Sequence, residues 1–105
     1  MSVIPNRTKD QYEWVDASQS SQVIGVTGGV GDLMKRLIII PNTTGAGTVT
    51  LQDGSNTAMD IHKGGGTLVD LKPFVVEIQA RSAAGAWKVT TGANVTVIAV
   101  GDFTV

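Results

Sequence analysis

The sequence predicts an all-β fold: an antiparallel β-sandwich, jelly-roll-like, of about eight strands. Val, Ile and Thr supply 34 of the 105 residues, whereas Glu occurs twice and Leu five times. Branching at Cβ makes these side chains stiff at χ1, which suits a pleated, half-buried surface better than a helix. Gly contributes 13 residues, about twice its usual share, clustered between apolar runs without a fixed period. Short apolar runs broken by Gly, Asn and Asp every ~8–12 residues are the pattern of sandwiches and barrels. No helix longer than about two turns is expected.

Residues 1–10 are polar and carry Pro5, and residues 12–16 alternate, with Tyr12, Trp14 and Asp16 on one side and Glu13 and Val15 on the other. Residues 21–27 form a second run, closed by Gly28, Gly29 and Gly31. The most apolar stretch, 33–40, ends at Pro41, which has no N–H for a ladder. With Ile38, Ile39 and Ile40 apolar on both faces, this strand is expected to be central and covered on each side. Val49 and Leu51 then alternate with Thr48, Thr50 and Gln52, and Asp53-Gly54-Ser55-Asn56 supplies residues that tolerate positive φ in a tight hairpin. Met59 and Ile61 resume the apolar face, Lys63-Gly64-Gly65-Gly66 is a loop, and 68–71 reads as a short strand or edge. After Lys72-Pro73, Phe74, Val76 and Ile78 alternate with Val75, Glu77 and Gln79. Turns at Ala83-Ala84-Gly85 and Thr91-Gly92-Ala93-Asn94 lead into Trp87 and Val89 and then into 95–100. Thr43-Thr44-Gly45-Ala46 and Thr90-Thr91-Gly92-Ala93 echo one another, as one turn chemistry used twice or as a trace of two duplicated halves.

Composition removes several functional classes. A chain of 105 residues buries about 65% of its unfolded surface, enough for one domain with a modest core. Without Cys there is no disulfide scaffold, no thiolate metal ligand and no thiol nucleophile. Eight Lys and Arg balance nine Asp and Glu, and the cations are scattered, so no basic footprint for nucleic acid is present. No apolar run approaches the ~20 residues of a membrane-spanning helix, so no membrane partner is expected. The start, Met-Ser-Val-Ile-Pro-Asn-Arg, lacks the apolar core of a signal peptide.

Candidate chemistry is sparse. Residues 23–31 look like a strand feeding a glycine-rich phosphate loop. That loop needs a helix directly after it, and only 32–36 separate Gly31 from the next apolar run, with Asp32 where a Lys is wanted. A β-turn is the better reading. His62 is the sole imidazole, and Asp60 lies two residues earlier on the same strand face, whereas a metal site needs three or four convergent groups. Both read as solvent-facing polar positions, and no catalytic residue, metal or cofactor is expected. Of the two tryptophans, Trp87 falls in register with Val89 and reads as core, while Trp14, beside Tyr12, is the better candidate for an exposed contact.

The series Gly31-Asp32-Leu33 leading to Ile38-Ile39-Ile40-Pro41, Val49-Thr50-Leu51-Gln52-Asp53-Gly54-Ser55 and Pro73-Phe74-Val75-Val76 resembles small virion structural proteins of tailed bacteriophages. The ending Gly85-Ala86-Trp87-Lys88-Val89-Thr90-Thr91-Gly92-Ala93-Asn94-Val95 shares the likeness, which is to the capsid decoration or cement type and covers about residues 20–103. It is a likeness of style and carries over no functional residue. It implies a non-enzymatic protein on the capsid surface of the virion, made in the bacterial host cytoplasm, that bridges neighbouring subunits of a major capsid protein. The alternative is a carbohydrate- or receptor-binding module of a tail or head fibre, using Trp14 or polar loop groups. Residues 20–105 are expected to form the sandwich, and 1–19 an N-terminal arm or its first strand. Val3, Ile4, Pro5, Tyr12 and Trp14 are the candidate partner-binding residues, because they place apolar groups in an otherwise polar segment. As an arm, 1–19 would cross to the capsid or to another subunit of a homo-oligomer, dimer or trimer, whose contacts also cover strand edges.

Overall fold

Short runs of alternating buried and exposed residues build two four-stranded antiparallel sheets in a computed structural model that describes residues 11–25, 29–64 and 72–104. The strands are β1 (Gln11–Val15), β2 (Gln22–Val23), β3 (Leu33–Pro41), β4 (Val49–Asp53), β5 (Met59–His62), β6 (Phe74–Arg81), β7 (Trp87–Thr91) and β8 (Val95–Asp102). No helix occurs among the described residues. One sheet has the order β1-β8-β3-β6 and the other β2-β7-β4-β5. The chain therefore passes back and forth between the sheets, and its first and last strands pair. This is the strand order of a jelly roll, a double-sheet sandwich of two Greek keys.

The core lies between the sheets. Val15, Met34, Leu37, Ile39, Val95, Val97 and Ala99 from one sheet meet Val49, Leu51, Trp87 and Val89 from the other, with Ile24 and Phe103 closing the ends. Trp87 is the core tryptophan, as its register with Val89 predicts, and its indole Nε1 donates to the Asp32 carbonyl at 2.9 Å. A turn falls where Asp53-Gly54-Ser55-Asn56 places it, with Gly54 at φ 57° and the Asn56 amide bonded to the Asp53 carbonyl at 2.9 Å, but β5 resumes only at Met59, so the connection is longer than the tight hairpin expected. The Asp53 carboxylate also accepts from the Ala83 and Ala84 amides, which fastens the 82–85 turn to this hairpin. The two echoing turns touch. Gly47 N donates to Ala93 O at 2.8 Å and Gly92 N to Thr48 O at 2.7 Å, and a Cβ on Gly92 would stand 3.0 Å from Gly47 Cα.

The structure revises four expectations. β3 is central, between β8 and β6, but it is covered on one face only: Met34, Leu37 and Ile39 are buried, whereas Ile38 and Ile40 are partly exposed. A sandwich sheet packs on its partner through one face and meets solvent with the other. The run expected over 21–27 is a two-residue strand, because Gly25 turns out of the extended region at φ 93°; residues 26–28 lie outside those described. His62 is not a solvent-facing polar position. Its ring meets Phe74 edge-on with centroids 5.5 Å apart, and Nε2 is buried without a hydrogen-bond partner. Residues 11–15 are a strand of the chain's own sheet, and 16–21 are tied to β7 by bonds such as Thr91 N to Gln19 O at 2.9 Å and Ser21 N to Thr90 Oγ1 at 2.9 Å. So 11–19 do not form a crossing arm. The remainder of that segment, with Val3, Ile4 and Pro5, and the strand expected over 68–71 lie outside the described residues.

Candidate interaction surface

Side-chain alternation turns Tyr12 and Trp14 of β1 onto the outer face of the sheet β1-β8-β3-β6, where they are 75% and 50% exposed. The ladder register extends this apolar character across the sheet. Trp14 pairs with Ile98, Ile98 with Ile38, and Ile38 with Val75, giving one apolar row over four adjacent strands. The neighbouring row runs Tyr12, Val100, Arg36, Glu77. Ile40 extends the patch along β3, opposite Thr96.

The relief of this face is uneven. Ile98 and Val100 form the floor of an open groove of about 440 Å³, walled by Tyr12 and Gln11 on one side and by Ile38 on the other. The Trp14 ring is held in place, since its Nε1 donates to the Asp16 carboxylate on the same strand face. On the opposite side of β1, Glu13 points between the sheets and accepts from Gln22 Nε2 at 2.8 Å and the Gly25 amide at 2.7 Å. β1 is thereby fixed to the second sheet while its aromatic side stays outward.

Electrostatics on this face are internally balanced. Gln79 Nε2 donates to Glu77 Oε1 and Arg36 Nε to Glu77 Oε2, both at 3.0 Å. These two hydrogen bonds hold the Glu77 carboxyl below its ordinary value of 4.5. The Arg36–Glu77 pair therefore stays ionised below the usual carboxylate range and is lost only as pH falls through that lowered value.

The outer face of the second sheet is different. Lys88 and Thr90 of β7, Thr50 and Gln52 of β4 and Asp60 of β5 occupy its outward positions, with Val23 the apolar exception. The contrast matters because an ordinary solvent face of a sandwich reads like this second sheet. Contiguous exposed apolar surface marks interaction sites, whereas single exposed apolar residues such as Val30 are normal.

The polar candidates do not converge. Asp60 pairs with Lys63 at 3.3 Å, and His62 packs on Phe74. Among the described residues no group of three or more His, Asp or Glu is placed to hold a metal ion. Asp32, buried beyond the end of the glycine-rich turn, accepts from the amide and hydroxyl of Thr104 and serves as a loop anchor. Sequence reasoning found Tyr12 and Trp14 but missed Ile38, Ile98, Val100 and Val75 as members of the same face. The available signal was the unbroken apolar runs 37–40 and 97–100, which load both faces of two neighbouring strands.

No family model, curated protein or solved structure matches the chain.

Proposed function

We propose that this chain is a non-enzymatic structural protein of a tailed-phage virion, which decorates or cements the capsid by bridging major capsid subunits. The observation that carries this reading is the four-strand apolar row Trp14–Ile98–Ile38–Val75 on an open, grooved sheet face, a surface suited to assembly. An open face encloses a small substrate poorly. The resemblance of residues 20–103 supplies the virion context, and a jelly roll is an architecture that viral capsid and lectin domains use, although a fold alone assigns no function. Modest contacts repeated on a lattice become strong through effective concentration.

Carbohydrate binding is the second reading, favoured by one feature: the exposed Trp14 ring with its indole N–H already bonded to Asp16. Sugar recognition also needs polar groups around the stacked ring, and the adjoining groove offers only the Tyr12 hydroxyl and Gln11, whose Oε1 already accepts from the Phe103 amide.

The test is co-sedimentation of the full chain with shells of the major capsid protein. The chain is expected to pellet with the shells and to raise their thermal stability, and Trp14→Ala is expected to weaken attachment about 30-fold, the effect of losing an aromatic anchor. A chain that stays in the supernatant at all concentrations, or a Trp14→Ala variant that pellets as well as the parent, would overturn the reading. Retention on a glycan array that Trp14→Ala abolishes would establish the second reading instead.

A further inference from the structure

We propose that the outer face of β1-β8-β3-β6 is covered by a second copy of this chain, packed face to face about a two-fold axis parallel to the strands. The inference rests on the assembly reading of this face and names its partner. Three observations support a copy of the chain as the occupant.

The first is shape. The face has a high side at β1, where Tyr12 and Trp14 project, and a lower side at β3 and β6, where Ile38 and Val75 are smaller. A two-fold axis along the strands, between β8 and β3, brings β1 of one copy over β6 of the other and β8 over β3. Trp14 then covers Val75 of the second copy, and Ile38 of each copy enters the groove floored by Ile98 and Val100 in the other. Aligned sheet packing of this kind is the ordinary way two sheets meet, at about 10 Å and within about 30°.

The second is charge. Arg36 and Glu77 compensate one another within each copy, so two identical faces approach without like-charge repulsion, and neither ion is buried unpaired. The same axis brings the Tyr12 hydroxyl of one copy towards the Glu77 carboxylate of the other.

The third is area. Four strands at ~4.8 Å spacing and about five residues at ~3.4 Å rise give a face of roughly 19 by 17 Å. With side-chain relief this corresponds to on the order of 500 Å² or more of accessible surface per copy, which reaches the ~1,000 Å² total of a specific interface.

The experiment is light scattering and sedimentation equilibrium on the full chain, with Ile98→Lys, Val75→Lys and Thr50→Lys. The parent and Thr50→Lys, which adds its charge to the polar sheet, are expected to be dimers. Ile98→Lys and Val75→Lys are expected to dissociate at least about 100-fold more readily, because each buries a charge without a partner. Val75 is 53% exposed in the single chain, so Val75→Lys keeps the test valid if Ile98→Lys fails to fold. The chain has no Cys, and facing sheets about 10 Å apart are too far for a disulfide. An equimolar mixture of Trp14→Cys and Val75→Cys proteins treated with a short bis-maleimide therefore reads the axis directly: the mixed cross-link is expected, and the Val75→Cys homodimer is not. A monomeric or trimeric parent, or dimers that survive both lysine variants, would overturn the proposal. A dimer that ignores capsid shells would sink the virion reading and leave this one standing, and a monomer that binds shells would do the reverse.

Discussion

Replacing Gly101 by alanine is expected to lower stability by about 3 kcal/mol, at the upper end of ordinary overpacking costs, and the thermal midpoint by roughly 12–24 °C. Gly101 lies in β8 between two strands, opposite Gln11 of β1 and Met34 of β3, where β3 carries a bulge between Met34 and Arg36. A Cβ here would overlap the Leu33 carbonyl oxygen and come within 2.8 Å of Phe103 Cε1. The oxygen belongs to a backbone held by ladders on both sides, so it moves only if the central strand moves. The cost is one of space, since Gly101 is not among the positive-φ residues. Gly45→Ala is the control. A Cβ there meets nothing closer than Thr43 Oγ1 at 3.8 Å, and the change is expected to be neutral or slightly stabilising. Thermal denaturation followed by far-UV circular dichroism checks both, and a Gly101→Ala protein that melts with the parent would show that β8 and β3 are not so closely paired.

Trp87→Ala is expected to cost about 3–5 kcal/mol, a large share of the ~5–15 kcal/mol available to a small domain. The side chain is 3% exposed, its ring belongs to the core between the sheets, and its Nε1 bonds the Asp32 carbonyl. Trp87→Phe separates the two contributions. The Asp32 carbonyl also accepts from the Ser82 amide at 2.9 Å, so losing the indole donor does not orphan it. The phenylalanine variant is therefore expected to lose about 1–2 kcal/mol, mostly unfilled volume. Urea denaturation gives both values, and equal losses for Phe and Ala would mean that the hydrogen bond, not packing, governs the site.

Much of this architecture is written locally. The Val, Ile and Thr content, the hairpin at Asp53-Gly54-Ser55-Asn56 and the strict alternation of 49–52 and 87–91 specify strands and turns through χ1 stiffness, φ tolerance and period. Inward and outward faces were legible wherever one face is polar, as with Lys88 and Thr90 against Trp87 and Val89. They were not legible in 37–40 and 97–100, where both faces are apolar and period 2 disappears. Only the pairing of β8 with β3, across about 60 residues of chain, shows that Ile38 and Ile98 share the outer face with Trp14. Long-range contacts were hidden for the same reason: nothing near Asp53 announces that its carboxylate caps the Ala83 and Ala84 amides, and nothing near His62 announces Phe74.

The central claim is that the outer face of β1-β8-β3-β6 is covered when the protein assembles. Trp14 and Trp87, the two tryptophans of the chain, report on it without any substitution, one from that face and one from the core. In protein labelled with 5-fluorotryptophan, the ¹⁹F resonance of Trp14 is expected to show a solvent-isotope shift in the dilute chain, where the side chain is 50% exposed, and that of Trp87, 3% exposed, almost none. The account predicts that the Trp14 shift falls towards the Trp87 value as concentration rises or capsid shells are added, while Trp87 stays unchanged. A Trp14 resonance that keeps its full solvent shift in particles of demonstrably higher mass would contradict it.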